Sequence, residues 1–254
     1  MHATQLHITA GTEARGSILA RAFAAQGLRA HVANRPVETL AANEALFWEG
    51  DPADSVFEIV SGVLRLSRLL ADGRRAIVGF LYAGEMLGLP CRDGYAYTAE
   101  AVTALKVRRL SRPQVLRLVD ESPVVRRDLL ALAYDEMCSA QDQMLLLGRK
   151  TAEERVASFL LQVARRCARD GARSSEIMLP MTRLDMADFL GLTIETVSRL
   201  MSKLKGDGII ALPSPSRVVV MDEAALYALA GEDAPEPALP QQRVKTLHAA
   251  AWPH

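Results

Sequence analysis

The stretch at residues 182–208, TRLDMADFLGLTIETVSRLMSKLKGDG, prescribes two capped helices closed against a glycine turn. Thr182 with Asp185 three residues on is an N-cap with an acidic partner in the first turn. Leu184, Ala187 and Leu190 offer that helix apolar packing positions, Ala187 being small enough for a close crossing. Gly191 permits the backbone that stops it. Thr193 caps a second helix that runs to about Lys205, before Gly206 and Gly208 end it. Val197, Leu200, Met201 and Leu204 recur at i, i+3, i+4, i+7 and predict one buried face. Glu195, Ser198, Arg199 and Ser202 line the opposite one.

That opposite face carries groups able to read bases. Arginine donates to O6 and N7 of guanine, and glutamate accepts from the amino group of cytosine. Four apart near a helix start, Glu195 and Arg199 can reach neighbouring base pairs in a major groove while the apolar face holds the helix to its domain. For the pair alone the alternative is an i, i+4 ion pair on a solvated face. The residues after the second helix tip the balance. Residues 209–212 and 217–221 read as short strands around Pro213-Ser214-Pro215-Ser216, so the two helices lead straight into a hairpin, a winged helix–turn–helix.

The segment LGLTIETVSR, residues 190–199, resembles the recognition segment of the cyclic-AMP receptor/fumarate–nitrate regulator family of bacterial transcription factors. LGRKTAEERVASFLL, residues 147–161, looks most like its FixK branch. The resemblance covers roughly residues 35–225 and implies an α+β architecture: an N-terminal cyclic-nucleotide-binding-like β-roll, a long dimerisation helix and a C-terminal winged helix–turn–helix. The expected divisions are an N-terminal extension over 1–35, the roll over 36–121, the dimer helix over 122–149, the DNA-binding domain over 150–230 and a disordered tail over 231–254. The resemblance also implies a regulator rather than an enzyme, with a homodimer, a palindromic DNA site and RNA polymerase as partners. Its DNA contacts would fall on Thr182, Thr193, Ile194, Glu195 and Thr196, then on Ser198, Arg199, Ser202, Lys203 and Arg217. The cyclic-AMP receptor branch has an arginine where this chain has Ile194, so a thymine methyl is expected in place of a guanine, giving a TTGAT-type half-site. The FixK branch controls genes of low-oxygen or nitrogen-oxide respiration and nitrogen fixation.

With 254 residues the chain can hold two domains and a sizeable core. Its 30 basic and 30 acidic residues balance, which argues against strong non-specific DNA binding. Within residues 193–205 the balance is basic, with Arg199, Lys203 and Lys205 against Glu195. No apolar run approaches the roughly 20 residues of a membrane span, and the N-terminus has no signal-peptide core. Three scattered cysteines, Cys91, Cys138 and Cys167, fit a reducing cytoplasm.

Residues 1–35 are alanine-rich, with one short helix suggested by Ile18, Leu19, Ala22 and Phe23. Between residues 37 and 110 short β-like runs at 56–60, 63–66 and 76–82 alternate with Gly50, Gly62, Gly73, Gly84 and Gly94, the pattern of a small barrel or roll. Ser61-Gly62 and Asp72-Gly73 read as hairpin turns. Gly84-Glu85 stands where the family's nucleotide cassette begins, but Tyr97-Thr98 stands where a phosphate-binding Arg-Ser or Arg-Thr pair is required, and Arg92 is out of register. A desolvated phosphate without a bidentate cation is costly, so the roll is expected to be a scaffold without cyclic-nucleotide function.

Ser111-Arg112-Pro113-Gln114 has capping-box spacing, and Ser122-Pro123 opens a helix without internal proline as far as Arg149. Leu130, Ala133, Met137, Ala140, Met144 and Leu147 recur at 3, 4, 3, 4, 3 along it. That spacing fits a coiled-coil seam or an amphipathic helix lying on its own domain, and a DNA reader that needs a twofold partner favours the seam. A further helix is expected over 151–169, buried through Val156, Phe159, Leu160 and Val163. Its Arg165, Arg166 and Arg169, with Arg173, make either a solvated face or a phosphate contact.

No metal or catalytic motif is present, and the histidines His2, His7, His31, His248 and His254 lie near the ends. No cysteine precedes Cys91, so the iron–sulfur cluster of the family's oxygen-sensing branch cannot be built from the homologous positions. No cofactor is therefore expected, with a haem- or small-effector-sensing roll as the alternative. Cys91 reads either as a small buried hydrophobe or as a redox-sensing thiol beside Arg92, while Cys138 and Cys167 read as packing residues.

Overall fold

The computed structural model describes residues 26–89, 93–167 and 176–233. Helix α1 (Gln26–Val32) precedes eight strands: β1 (Val37–Leu40), β2 (Ala45–Phe47), β3 (Ser55–Ser61), β4 (Val63–Leu69), β5 (Arg75–Tyr82), β6 (Met86–Leu87), β7 (Thr98–Ala101) and β8 (Leu105–Ser111). Then come α2 (Arg112–Glu121), α3 (Pro123–Arg149), α4 (Ala152–Cys167), β9 (Glu176–Met178), α5 (Arg183–Leu190), α6 (Ile194–Gly206), β10 (Ile210–Ser214), β11 (Arg217–Val220) and α7 (Glu223–Ala230).

The strands form two antiparallel four-stranded sheets, ordered β1-β8-β3-β6 and β2-β7-β4-β5. Leu64, Leu81 and Ala99 of one meet Phe57, Ile59 and Val107 of the other in a shared core, which is the expected roll. Asp72-Gly73 does turn the β4–β5 hairpin. Ser61-Gly62 does not make a hairpin, because β3 pairs with β8 and β6 while β4 pairs with β5 and β7. It is instead a corner where the chain changes sheets. Gly62 sits there at φ 94°, and a Cβ would stand 2.4 Å from the Ala104 carbonyl oxygen, so glycine is required by both backbone and space.

Ser122 caps α3, accepting from the Val125 N–H at 3.4 Å, and the helix runs 27 residues to Arg149. Its inner face buries Val125 and Leu132. The helix beyond it, α4, buries Val156, Phe159, Leu160 and Val163 as the periodicity predicts. The roll and the C-terminal domain do not stand apart. Phe80 of β5 packs with Phe159 of α4 and Phe189 of α5 at ring-centroid distances of 6.3 and 5.5 Å, and Ile77 and Phe80 belong to the C-terminal core. Among the described residues no helix is long and apolar enough to cross a membrane.

Of the basic cluster, Arg165 is exposed as a solvated face requires, and Arg166 departs from both readings. Arg166 is nearly buried, donating to the Phe80 carbonyl at 2.7 Å and lying 3.6 Å from the Glu85 carboxylate, so it ties α4 to the roll. Arg165 pairs with Glu232 at 2.6 Å; Arg169 and Arg173 lie outside the described residues. Glu232, expected in the tail, is thus part of the domain, and it also receives Lys150 at 3.1 Å. Burial pushes the Glu232 carboxyl up, but Arg165 and Lys150 outweigh it and hold it below 4.5. The stability this tie contributes is therefore complete above pH 4.5 and is lost as pH falls through the lower folded value. Glu232→Gln should lower the midpoint of thermal unfolding at neutral pH, and the difference from wild type should close in acid.

Candidate nucleic-acid interface

The two helices at residues 182–208 form as their caps dictate. Thr182 accepts from the Asp185 N–H at 3.0 Å, and Asp185 in turn accepts from the Thr182 N–H at 3.0 Å and from its hydroxyl at 2.7 Å, a reciprocal capping box. Gly191 ends α5 at φ 62°, and a Cβ there would press within 3.3 Å of the Leu147 side chain. Thr193 accepts from the Thr196 N–H at 3.2 Å to start α6, which continues through Gly206. Ala187 and Leu190 are buried as expected, but Leu184 is 51% exposed. It falls on the outer side of α5, whose inner side buries Asp185, Met186 and Ala187.

Val197, Met201 and Leu204 bury the inner face of α6, with Leu200 packed beside them. On the other side Thr193, Ile194, Glu195, Ser198, Arg199, Ser202 and Lys203 are exposed, and Thr196 is half-buried. The i, i+4 ion pair does not form. Glu195 is held below the ordinary carboxylate range by its own backbone N–H and the Thr193 hydroxyl, so it is an ionised acceptor fixed at the helix N-terminus. Arg199 makes no hydrogen bond or ion pair with any described residue. Ser202 donates to the Ser198 carbonyl at 2.9 Å.

The two flanking cations are engaged. Lys203 reaches the Glu153 carboxylate at 2.7 and 3.0 Å. Arg217, on the wing strand β11, pairs with Glu176 of β9, a partner only the fold supplies. Thr182 is exposed at the start of α5. The structure thus gathers the sequence-derived residues of α5, α6 and the wing onto one domain.

On α3, Leu130, Ala133, Met137, Ala140, Met144 and Leu147 are all exposed, Leu130 at 67% and Met144 at 66%, while Ala140 also borders a cavity between the roll and α3. The inner face of the same helix packs on the chain itself through Leu132, and Gln143 donates to the Phe189 carbonyl at 2.7 Å.

Residues 154–229 match the Crp-like helix-turn-helix domain family, and residues 37–122 match the cyclic nucleotide-binding domain family. The nitrogen fixation regulation protein FixK of Azorhizobium caulinodans is 41% identical over 215 residues, 81% of this chain and 87% of that protein. The chain belongs to the CRP/FNR family. The transcriptional activator FnrL of Cereibacter sphaeroides is 42% identical over 196 residues, 76% of this chain and 79% of that one. FixK2 from Bradyrhizobium japonicum superposes with a TM-score of 0.74 at 37% identity, covering 79% of this chain and 98% of that structure. This CRP/FNR chain is a FixK-like, DNA-binding regulator of transcription.

In the roll, both residues at the place of the family's phosphate-binding pair are engaged within the chain. Tyr97, at the position a phosphate-binding arginine would take, lies half-buried with its ring 6.0 Å from Phe47. Thr98 uses its hydroxyl to accept from the Glu49 N–H at 3.0 Å. A cavity of about 180 Å³ does lie between the roll and α3, α4 and α5. Its charged lining among the described residues is Glu85, Glu136 and Arg166, with Arg166 already beside Glu85. The cavity volume is below the roughly 300–1,000 Å³ of small-molecule sites. Cys91 and Arg92 lie outside the described residues. Cys138 is half-buried on α3, and the Cys167 side chain is outside the described set.

Proposed function

We propose that this CRP/FNR protein acts in the cytoplasm as a homodimer that binds palindromic TTGAT-type DNA without cyclic AMP or an iron–sulfur cluster. Ile194, Glu195 and Arg199 read bases. Thr182, Thr193, Thr196, Ser198, Ser202, Lys203 and Arg217 hold the backbone, and the bound dimer engages RNA polymerase at promoters of low-oxygen, nitrogen-oxide or nitrogen-fixation genes. The observation that carries this reading is the state of α6: Glu195 and Arg199 stand exposed and unpaired with each other while the opposite face is buried. With an i, i+4 pair worth only about 0.2–0.5 kcal/mol, both side chains stay free to reach bases.

Dimerisation is supported by the outward seam of α3, where an uninterrupted row of apolar side chains at heptad spacing faces water in the single chain. Cyclic-AMP independence is supported by Tyr97 and by the small volume of the cavity. The second reading is a haem- or small-effector-sensing regulator of the same fold, with this cavity as the place only a very small effector would enter.

Base choice is tested at Ile194. An aliphatic side chain packs on a thymine methyl and cannot donate to guanine. Ile194→Arg should move preference from a TTGAT-type to a TGTGA-type palindrome, measured by fluorescence anisotropy on both duplexes without added ligand. Unchanged preference would remove Ile194 from the readout, and a several-fold gain in wild-type affinity on adding cyclic AMP would overturn effector independence.

A further inference from the structure

One carboxylate joins the DNA-facing helices to the roll. Asp185 is 2% exposed, and its two oxygens divide between the two sides. One oxygen takes the Thr182 N–H and hydroxyl, closing the cap of α5. The other takes the guanidinium of Arg65 from β4 at 3.2 Å and that of Arg75 from β5 at 2.7 Å. Arg75 also donates to Asp188, one turn further along α5, at 2.8 Å, and Arg65 is braced from behind by Glu100 of β7 at 3.2 Å. The cluster therefore holds two guanidiniums and three carboxylates spread over three strands and a helix. A buried ion group held by this many hydrogen bonds fixes one geometry, because sliding either surface leaves a charge unpaired.

We infer that Asp185, with Arg65 and Arg75, is a positioning group for DNA recognition, setting the orientation of α5 and α6 relative to the roll and hence to α3. The group touches no base. It acts through the cap, since the oxygen that anchors Thr182 belongs to the carboxylate that the roll arginines hold. In a dimer paired along α3, that orientation sets the separation and rotation of the two reading helices. The inference rests on the dimeric readout proposed above, where half-site spacing is a geometric property of the protein.

The test uses the full chain and three duplexes: a palindrome at its best spacing, the same palindrome lengthened by one base pair, and a single half-site. A one-base-pair insertion mis-sets one half-site and should cost the wild type about tenfold, the loss of at least one base contact. Arg75→Gln and Asp188→Asn leave the Thr182 cap intact, and each should flatten that spacing discrimination by lowering affinity for the best palindrome while leaving the single half-site unchanged. Arg75→Lys, which keeps a charge near both carboxylates, should restore part of the discrimination. Variants that discriminate as sharply as wild type would overturn the inference, and so would variants that weaken the single half-site equally, since the group would then merely support the helix. A wild type that ignores spacing would sink the inference together with the dimeric readout, an outcome distinct from both. Thermal unfolding of each variant separates a repositioned domain from an unfolded one.

Discussion

Ala140→Glu should convert the protein from dimer to monomer and abolish binding to a palindrome at concentrations where wild type is saturated. Ala140 is exposed on the single chain, in the middle of a seam running from Leu130 to Leu147, so the substitution costs the isolated chain little. Across a twofold axis the new carboxylate would meet its own symmetry mate between closely approaching helices. Burying unpaired like charges costs several kcal/mol, enough to shift a micromolar or nanomolar dimer into monomer. Sedimentation velocity reads the mass directly, and circular dichroism confirms that α3 remains folded. A dimer that survives the change would move the interface elsewhere on the surface.

The second large effect is expected at Arg199. Each lost base contact costs roughly 1–3 kcal/mol, and a symmetric dimer loses two, so Arg199→Ala should weaken specific binding at least about tenfold. Because Arg199 is exposed and has no partner among the described residues, the variant should unfold like wild type, and the loss should lie in recognition. Random DNA should be affected far less, since it is held by the sum of phosphate contacts. Anisotropy against a specific and a scrambled duplex measures the two together. Equal losses on both would make Arg199 a phosphate clamp and remove it from the readout.

What the residues disclose in advance depends on the range over which they act. Thr182 with Asp185, Thr193 and Ser122 with Pro123 specify helix starts through residues close by in sequence, and all three starts appear where those patterns put them. The period of α3 likewise picked out one row of side chains, and that row is exposed on the single chain. Ser61-Gly62 shows the limit. The dipeptide demands a left-handed backbone, and a hairpin and a sheet-to-sheet corner satisfy that demand equally. Leu184 shows another, since the inward turn of Asp185 depends on two arginines more than a hundred residues earlier. No local pattern announces Arg166 on Phe80 or Arg217 on Glu176, whose partners are likewise distant in the chain. Helix α7 was within reach: Asp222 accepts from the Ala225 N–H and Gly231 ends the helix in the left-handed conformation, the same signals that marked α5.

The engagement of Lys203 by Glu153 and of Arg217 by Glu176 has a consequence for how the protein searches a chromosome. Each carboxylate competes with a phosphate for its cation, and once displaced it stands as a negative charge close to the duplex. Random sequence offers phosphates alone, so contact with it must break those pairs without compensation from base edges, and residence there should be brief. On the readout proposed above, the correct site would add the contacts of Ile194, Glu195 and Arg199 and so more than offset the broken pairs. Sparing use of free positive charge, in a chain whose acids and bases balance at 30 each, would then keep the protein from being sequestered on the vast excess of wrong sequence.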